Sequence, residues 1–128
     1  SSNIKRINHE CSEAIKYFNR FCGYFNKDRT RTGYKHQTNY SDVGAVEVEE
    51  QNKPAFLRAH LSLARMYYNL LTNDNLKLSE FLVASLKEYE YIIKYTSVIP
   101  VPNMDEELTM VRQMVAMLPV KIQELRRS

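Results

Sequence analysis

The chain has 128 residues, enough for one domain with a core, and its 44% hydrophobic and 26% charged residues are typical of globular proteins. Its net charge of +3 is weak, and its basic residues are scattered among acidic ones, unlike the dense basic stripe of a nucleic-acid binder. No apolar run is long enough to cross a bilayer, so we expect no membrane insertion.

The first predicted helix covers residues 3–26 and carries one apolar stripe. Its apolar side chains recur at alternating gaps of three and four residues, which places them on one helical face: Ile4, Ile7, Cys11, Ala14, Phe18, Phe21 and Phe25. Three phenylalanines at the end of the stripe favour globular packing over the regular seam of a coiled coil.

Residues 27–51 lose this periodicity. A basic half is followed by an acidic half, and Gly33 and Gly44 interrupt a run of polar residues. Few aliphatic side chains are present to offset the entropy of ordering the segment. The pattern predicts a long flexible loop, mobile from Arg29 to Glu49 and dispensable for folding.

The second predicted helix covers residues 53–72, with Asn52 as its cap and Pro54 in its first turn. Two apolar rows cover most of its surface, which predicts a central position in the fold. Small Ala64 is predicted to lie at a close crossing with the third helix. The rows leave one narrow exposed stripe, here named the polar strip, formed by Arg58, Ser62, Arg65 and Asn69.

Two more helices are predicted at residues 76–97 and 103–126, separated by Pro100 and Pro102. Asn103 and Glu106 have the spacing of a capping box, and Pro119 is predicted to kink the last helix. Short connections favour antiparallel neighbours. The sequence thus predicts an all-α fold of antiparallel helix hairpins, a tetratricopeptide-like solenoid fragment of four main helices.

Residues that could carry chemistry do not form a recognisable site. His9, His36 and His60 lack metal-ligand spacing to one another and to the cysteines. On one helix, Cys11 and Cys22 would lie ~16 Å apart along the axis, so we expect reduced thiols rather than a disulfide. Reduced core thiols are typical of a cytosolic protein, so we expect a cytoplasmic location. The sequence also lacks a nucleophile elbow and a glycine-rich phosphate loop. We therefore expect a non-enzymatic protein with no cofactor, no metal and no small-molecule substrate.

Four methionines of the last helix region allow two interpretations: Met104, Met110, Met114 and Met117. Flexible thioethers suit an adaptable binding surface. Their spacing also interleaves with the apolar row of the helix, which is typical of residues that fill a core. Core filling is the interpretation that the periodicity favours.

Helices two and three resemble a tetratricopeptide unit, with Ala64 then Tyr67 in the first and Ser85 then Tyr89 in the second. A more specific resemblance rests on the phrases AIKYF, LARMYY, SLKEYEYII and MLPVKIQ, in this order. These phrases resemble the carboxy-terminal helical region of the kinesin-binding protein family (KBP). The resemblance implies a right-handed helical solenoid that binds kinesin motor domains, blocks their microtubule attachment and so regulates motor-driven transport. It also implies a cytoskeleton-associated location and packing on an upstream helical region, and residues 27–51 depart from it.

Two other functions stay open at this stage. Composition and periodicity alone support a generic tetratricopeptide-like scaffold for another helix or peptide. A pI of about 8.8 and the basic half of the loop are the basis for a weak nucleic-acid-binding module, which is the least supported function. The polar strip, Arg58, Ser62, Arg65 and Asn69, is the candidate partner-binding surface, because solenoids bind partners with stacked helices of one face. A merely solvated face explains the strip equally well.

Overall fold

The computed structural model describes residues 2–31, 48 and 50–127. Within these ranges all regular structure is helical, which confirms the predicted all-α fold. Four α-helices span α1 (Ser2–Arg31), α2 (Lys53–Asn69), α3 (Asn75–Val98) and α4 (Asp105–Arg127), and a short 3-10 turn at Glu50–Asn52 leads into α2.

Consecutive helices pack against each other in antiparallel pairs. α1 packs on α2, α2 on α3, and α3 on α4. The side chain of Asn8 in α1 meets Leu71 after the end of α2, and His60 and Ala64 of α2 meet Glu88 and Ser85 of α3 in reverse order. This serial packing is compatible with the tetratricopeptide-like arrangement that the sequence predicts.

α2 and α4 run parallel to each other on the same side of α3. Arg58 near the start of α2 contacts Glu107 near the start of α4, and the Lys121 ammonium lies 5.7 Å from the ring centre of Tyr68 further along. Each of these two helices makes its main packing contacts with α3. The outer surface of α2 is consequently left open between α1 and α4.

The main core lies between α2, α3 and α4. Fully or nearly fully buried side chains from all three helices form it, among them Phe56, Leu57, Ala64, Tyr89, Ile92, Tyr95, Val111 and Leu118. A smaller cluster joins α1 to α2 through Cys22, Ala59 and Leu63. The apolar rows read from the sequence therefore do face the interior, and α2 is covered on most of its surface.

The predicted crossing at Ala64 is confirmed. Ala64 is fully buried, and its carbonyl oxygen accepts a hydrogen bond from the Ser85 hydroxyl at 2.7 Å. A side-chain hydroxyl of one helix can reach a backbone carbonyl of another only where small residues let the two backbones approach. Ala64 and Ser85 thus set the α2–α3 contact.

Two helix starts differ from the sequence prediction. Asn52 is the N-cap residue of α2, but its backbone is helical (φ −98°, ψ −8°) and its side chain makes no cap hydrogen bond, because the 3-10 turn leads directly into the helix. Asn103 is not a cap at all. It lies in the turn before α4 with a positive φ of 64°, and α4 starts two residues later at Asp105. Asparagine tolerates this left-handed conformation better than most residues.

The start of α3 is capped by Asp74. Its carboxylate accepts hydrogen bonds from the backbone N–H groups of Leu76 at 3.0 Å and Lys77 at 3.3 Å. A carboxylate in this position also faces the positive end of the helix dipole. α3 thus has a conventional side-chain cap, in contrast to α2.

Helix ends also differ from the predicted bounds. α1 continues to Arg31, five residues past its predicted end at residue 26. α2 ends at Asn69 rather than near residue 72, since Leu70 adopts an extended conformation. α4 continues through Pro119 to Arg127. Residues 27–31, predicted as the start of the loop, are therefore helical, and Glu50 and Gln51 belong to the 3-10 turn. The rest of the predicted mobile loop, apart from residue 48, lies outside the described residues.

Candidate functional site

The polar strip lies on the open side of α2. Arg58, Arg65 and Asn69 are exposed and Ser62 is half-buried. Their spacing of four, three and four residues keeps all four side chains on one side of the helix. The opposite side of the same helix contributes Phe56, Leu57, His60, Leu63 and Ala64 to the core. The structure therefore brings the four predicted residues together on one surface.

A groove borders the polar strip on the α1 side, here named the α1–α2 groove. It encloses about 260 Å³, and its walls are Tyr17, Phe18 and Phe21 of α1 with Ala55, Arg58, Ala59 and Ser62 of α2. Two of the four strip residues, Arg58 and Ser62, thus belong to a concave surface. The α1 wall was not foreseen from the sequence as part of a site, since its phenylalanines read as ordinary core residues.

On the α4 side, an ion pair between Arg58 and Glu107 borders the polar strip. Arg58 Nε lies 3.2 Å from Glu107 Oε2, with side-chain exposures of 51% and 26%. Solvent competes for both groups, and exposed pairs of this kind contribute about 0–1 kcal/mol. The pair orients the Arg58 guanidinium across the open face of α2 without adding much stability.

Arg65 supplies a second positive charge along the polar strip. It forms no ion pair with any other residue that the structure describes. Burial raises the pKa of the neighbouring Tyr89 phenol, and the charge of Arg65 acts in the opposite direction. The exposed face of α2 therefore carries more positive than negative charge.

A buried polar pair lies on the other side of α2. His60 Nδ1 lies 2.6 Å from Glu88 Oε1, the distance of an imidazole N–H donating to a carboxylate, and both side chains are almost fully buried. The rings of Phe56 and Tyr91 flank the imidazole, with centroids at 4.8 Å and 4.5 Å. The spacing of the histidines in the sequence gave no indication of this pair, although His60 and Glu88 both occupy core-facing positions of their helices.

In the described part of the chain, neither the cysteines nor His9 extends this pair into a metal site. Cys11 and Cys22 are buried free thiols, as predicted. Burial raises the pKa of Cys22 to about 12, and the charge of Glu88 adds to this rise. Across the described residues, no group of three potential ligands has metal-binding geometry. His9 is exposed on α1, and His36 lies outside the described part of the chain.

The four methionines divide between the two interpretations. Met104 is almost fully buried, and Met110 and Met114 pack against the main core. Met117 is 41% exposed on α4 beside exposed Val120. Three of the four therefore fill the core, as the periodicity favoured.

Residues 1–125 match the protein family described as KIF-1 binding protein C terminal. The chain belongs to this family. The resemblance drawn from AIKYF, LARMYY, SLKEYEYII and MLPVKIQ is thereby confirmed, and the matched range also includes residues 27–51, which these phrases do not cover.

Curated relatives agree with this assignment. The KIF-binding protein of Gallus gallus is 31% identical over 128 residues, covering 98% of this chain and 20% of that protein. The KIF-binding proteins of Rattus norvegicus and Homo sapiens are each 30% identical, covering 98% and 96% of this chain but 19% and 18% of those proteins. The chain thus spans about a fifth of the length of the curated relatives it matches.

No solved structure matched the chain. Among the helices in the described ranges, none combines the length and the apolar character needed to cross a membrane.

Proposed function

We propose that this chain is part of a helical scaffold that binds kinesin motor domains and blocks their attachment to microtubules. Membership of the KIF-1 binding protein C-terminal family supports this function, as do relatives that are themselves named KIF-binding proteins. The scaffold has no catalytic chemistry of its own and regulates motor-driven transport by binding alone. Its site of action is the cytoplasm, in association with the cytoskeleton.

The observation that supports a binding role for this chain is the open face of α2. A central helix whose inner side is buried presents the polar strip between two flanking helices, α1 and α4. Solenoid proteins bind partners on surfaces of this kind, where parallel helices of successive repeats lie side by side. We infer that Arg58, Ser62, Arg65 and Asn69 contact the motor.

The polar strip constrains which part of the motor it meets. Tubulin is acidic, so the track-binding surface of a motor is expected to be basic, and the positive strip would repel it. In this proposal the strip contacts an acidic part of the motor, and the bulk of the scaffold covers the track-binding surface. An upstream helical region, packed on the half-exposed face of α1 near Ile7, completes the scaffold.

A microtubule co-sedimentation assay tests the proposal. A kinesin motor domain is incubated with microtubules and a non-hydrolysable nucleotide, with and without an excess of the 128-residue chain, and the pelleted motor is quantified. Masking predicts that the chain lowers the pelleted fraction and stays with the motor in the supernatant. Equal pelleting in both samples would contradict masking. A pull-down of the motor on the immobilised chain, run in parallel, shows whether binding itself takes place.

A further inference from the structure

We infer that the α1–α2 groove binds an aromatic or large aliphatic side chain that is flanked by carboxylates in an acidic peptide segment of a partner. This inference rests on the proposed function in taking the open face of α2 as the binding face. It deepens that function by naming the chemistry that the groove recognises.

The size of the groove fits a single side chain. Its volume of about 260 Å³ lies just below the range of about 300–1,000 Å³ that holds drug-sized ligands. Ala55, Ala59 and Ser62 form the α2 wall, and these small residues leave the space open. One partner side chain therefore fills the groove, in the way an anchor residue enters a pocket at an interface.

The α1 wall provides an aromatic surface. Tyr17 is 56% exposed, and its ring meets that of Phe18 edge-on with centroids 5.1 Å apart. Phe21 completes this wall and also packs against the cluster that joins α1 to α2. Exposed tyrosine beside arginine is the composition found at binding interfaces, where large rigid side chains contribute most of the affinity. An apolar anchor would cover Tyr17 and remove its ring from water.

The charges around the groove select carboxylates. Two described acidic side chains on the helices that flank the groove already have cationic partners, since Glu107 pairs with Arg58 and Glu13 pairs with Lys16 at 3.1 Å. Arg20 is exposed one turn after Tyr17 on the same side of α1, and Arg65 extends the positive charge along α2. The groove is thus apolar at its centre and positive at its edges, and an acidic peptide complements both features.

Glu107 makes the inference testable in two directions. Its carboxylate accepts a hydrogen bond from the Arg58 guanidinium. A partner carboxylate would contact the same guanidinium. Removing the Glu107 charge frees Arg58 and should strengthen binding of an acidic peptide. Removing the Arg58 charge should weaken binding. Opposite effects from the two members of one ion pair are not expected if either substitution merely disturbs the fold.

The test uses the isotope-labelled 128-residue chain in an NMR titration. The probes are a capped five-residue peptide with one phenylalanine between two glutamates, and matched peptides in which lysines replace the glutamates or alanine replaces the phenylalanine. The first peptide should shift the amide signals of residues 17–21 and 55–62, and the other two should not. Glu107→Gln should lower its Kd about threefold and Arg58→Gln should raise it about threefold, the size expected for one exposed ion pair.

Tyr17→Ala should abolish these shifts, and Lys87→Gln, a charge removal on the exposed side of α3, should leave them unchanged. Equal binding of the lysine peptide, shifts confined to other helices, or an unchanged Kd for Glu107→Gln would overturn the inference. These outcomes are independent of the co-sedimentation assay. Peptide binding without release of the motor from microtubules would contradict the proposed function and leave the groove chemistry intact.

Discussion

Two residues of α2, only two positions apart, each pair with a glutamate in very different surroundings. His60 meets Glu88 of α3 at 2.6 Å, and both side chains are less than 5% exposed. Arg58 meets Glu107 of α4 at 3.2 Å, and both groups remain open to water. The first pair lies among aromatic rings, whereas the second crosses the open face of the helix.

The buried pair, His60 with Glu88, stabilises the fold, whereas the exposed pair, Arg58 with Glu107, is available to a partner. Inside the protein, an unpaired imidazole or carboxylate has no water to replace its lost partner, so breaking the buried pair is costly. At the surface, water and salt replace either partner with little loss. Arg58 can therefore exchange Glu107 for a partner carboxylate without disturbing the helices that position it.

Removal of one member of the buried pair should have the largest effect on stability. Glu88→Ala removes the buried carboxylate that contacts His60, and we expect a loss of about 3–5 kcal/mol in the free energy of unfolding. Urea denaturation followed by circular dichroism measures this loss. The matched exposed substitution, Glu107→Gln, should cost no more than about 1 kcal/mol.

A double substitution sharpens the same point. His60→Leu with Glu88→Met removes both polar groups and keeps apolar volume in the core, so it should destabilise the protein less than Glu88→Ala alone. If Glu88→Ala and Glu107→Gln have equal effects, the distinction between the two pairs is wrong.

Alkaline pH should also lower the free energy of unfolding. Burial raises the pKa of Cys22 from its ordinary 9.0 to about 12, and it raises the pKa of Tyr91 as well. Above pH 9 the unfolded chain releases protons that the folded chain keeps. The free energy of unfolding should therefore fall as pH rises from 9 to 12, by at most ~1.4 kcal/mol per pH unit for each group. Denaturation at several pH values should give a shallower slope for Cys22→Ala, and an identical slope would contradict the assignment.

Overpacking the α2–α3 crossing should have an effect of intermediate size. Ala64→Leu forces extra volume between two backbones that a Ser85–Ala64 hydrogen bond holds close together, and should cost about 1–3 kcal/mol. The same substitution at exposed Ala116 of α4 is the control, and thermal denaturation compares the two. Matching melting temperatures would show that the crossing can expand freely.

A smaller loss is expected where α1 joins the turn between α2 and α3. The Asn8 amide donates to the Leu71 carbonyl at 2.7 Å and accepts from the Leu71 N–H at 2.9 Å, so it satisfies both backbone groups of that residue. Asn8→Ala should cost about 1 kcal/mol, because water can reach this site. Asn19→Ala, at an exposed position of the same helix, should cost less. Hydrogen exchange at the Leu71 amide would show whether the lost contact, rather than a change in helix propensity, causes the loss of stability.

Features that follow from short-range apolar spacing could be predicted from the sequence, whereas contacts between residues far apart in the chain could not. Four helices, the central position of α2 and the Ala64 crossing followed from apolar spacing, which local geometry controls. Asn8 and Leu71 are 63 positions apart, and nothing in the local pattern of either residue indicates the other. The capping box at Asn103 failed because the turn after Pro102 places this residue in a left-handed conformation that spacing alone does not show.

The same distinction applies to the candidate surface. The polar strip was visible as the part of α2 that two apolar rows leave uncovered. The features beside the strip could not be predicted from the sequence, because the α1–α2 groove and the Glu107 contact form only when three helices pack together. Sequence alone therefore located the face but not the chemistry around it.

Charge reversal on the polar strip should have the smallest effect on stability. Arg58→Glu with Arg65→Glu changes exposed side chains only, so we expect a change within about 0.5 kcal/mol for each position. Lys87→Glu with Lys94→Glu, on exposed positions of α3 with the same seven-residue spacing, is the matched control. Both double variants should unfold at nearly the same temperature as the original chain.

The central claim is that the polar strip binds the motor but does not stabilise the fold. The most direct test is co-sedimentation of a kinesin motor with these two double variants. We predict that the α3 variant keeps the motor off microtubules as well as the original chain does. The strip variant, although folded, should leave the motor in the pellet. If the folded strip variant releases the motor as effectively as the original chain, the open face of α2 is not the binding surface, and the central claim is wrong.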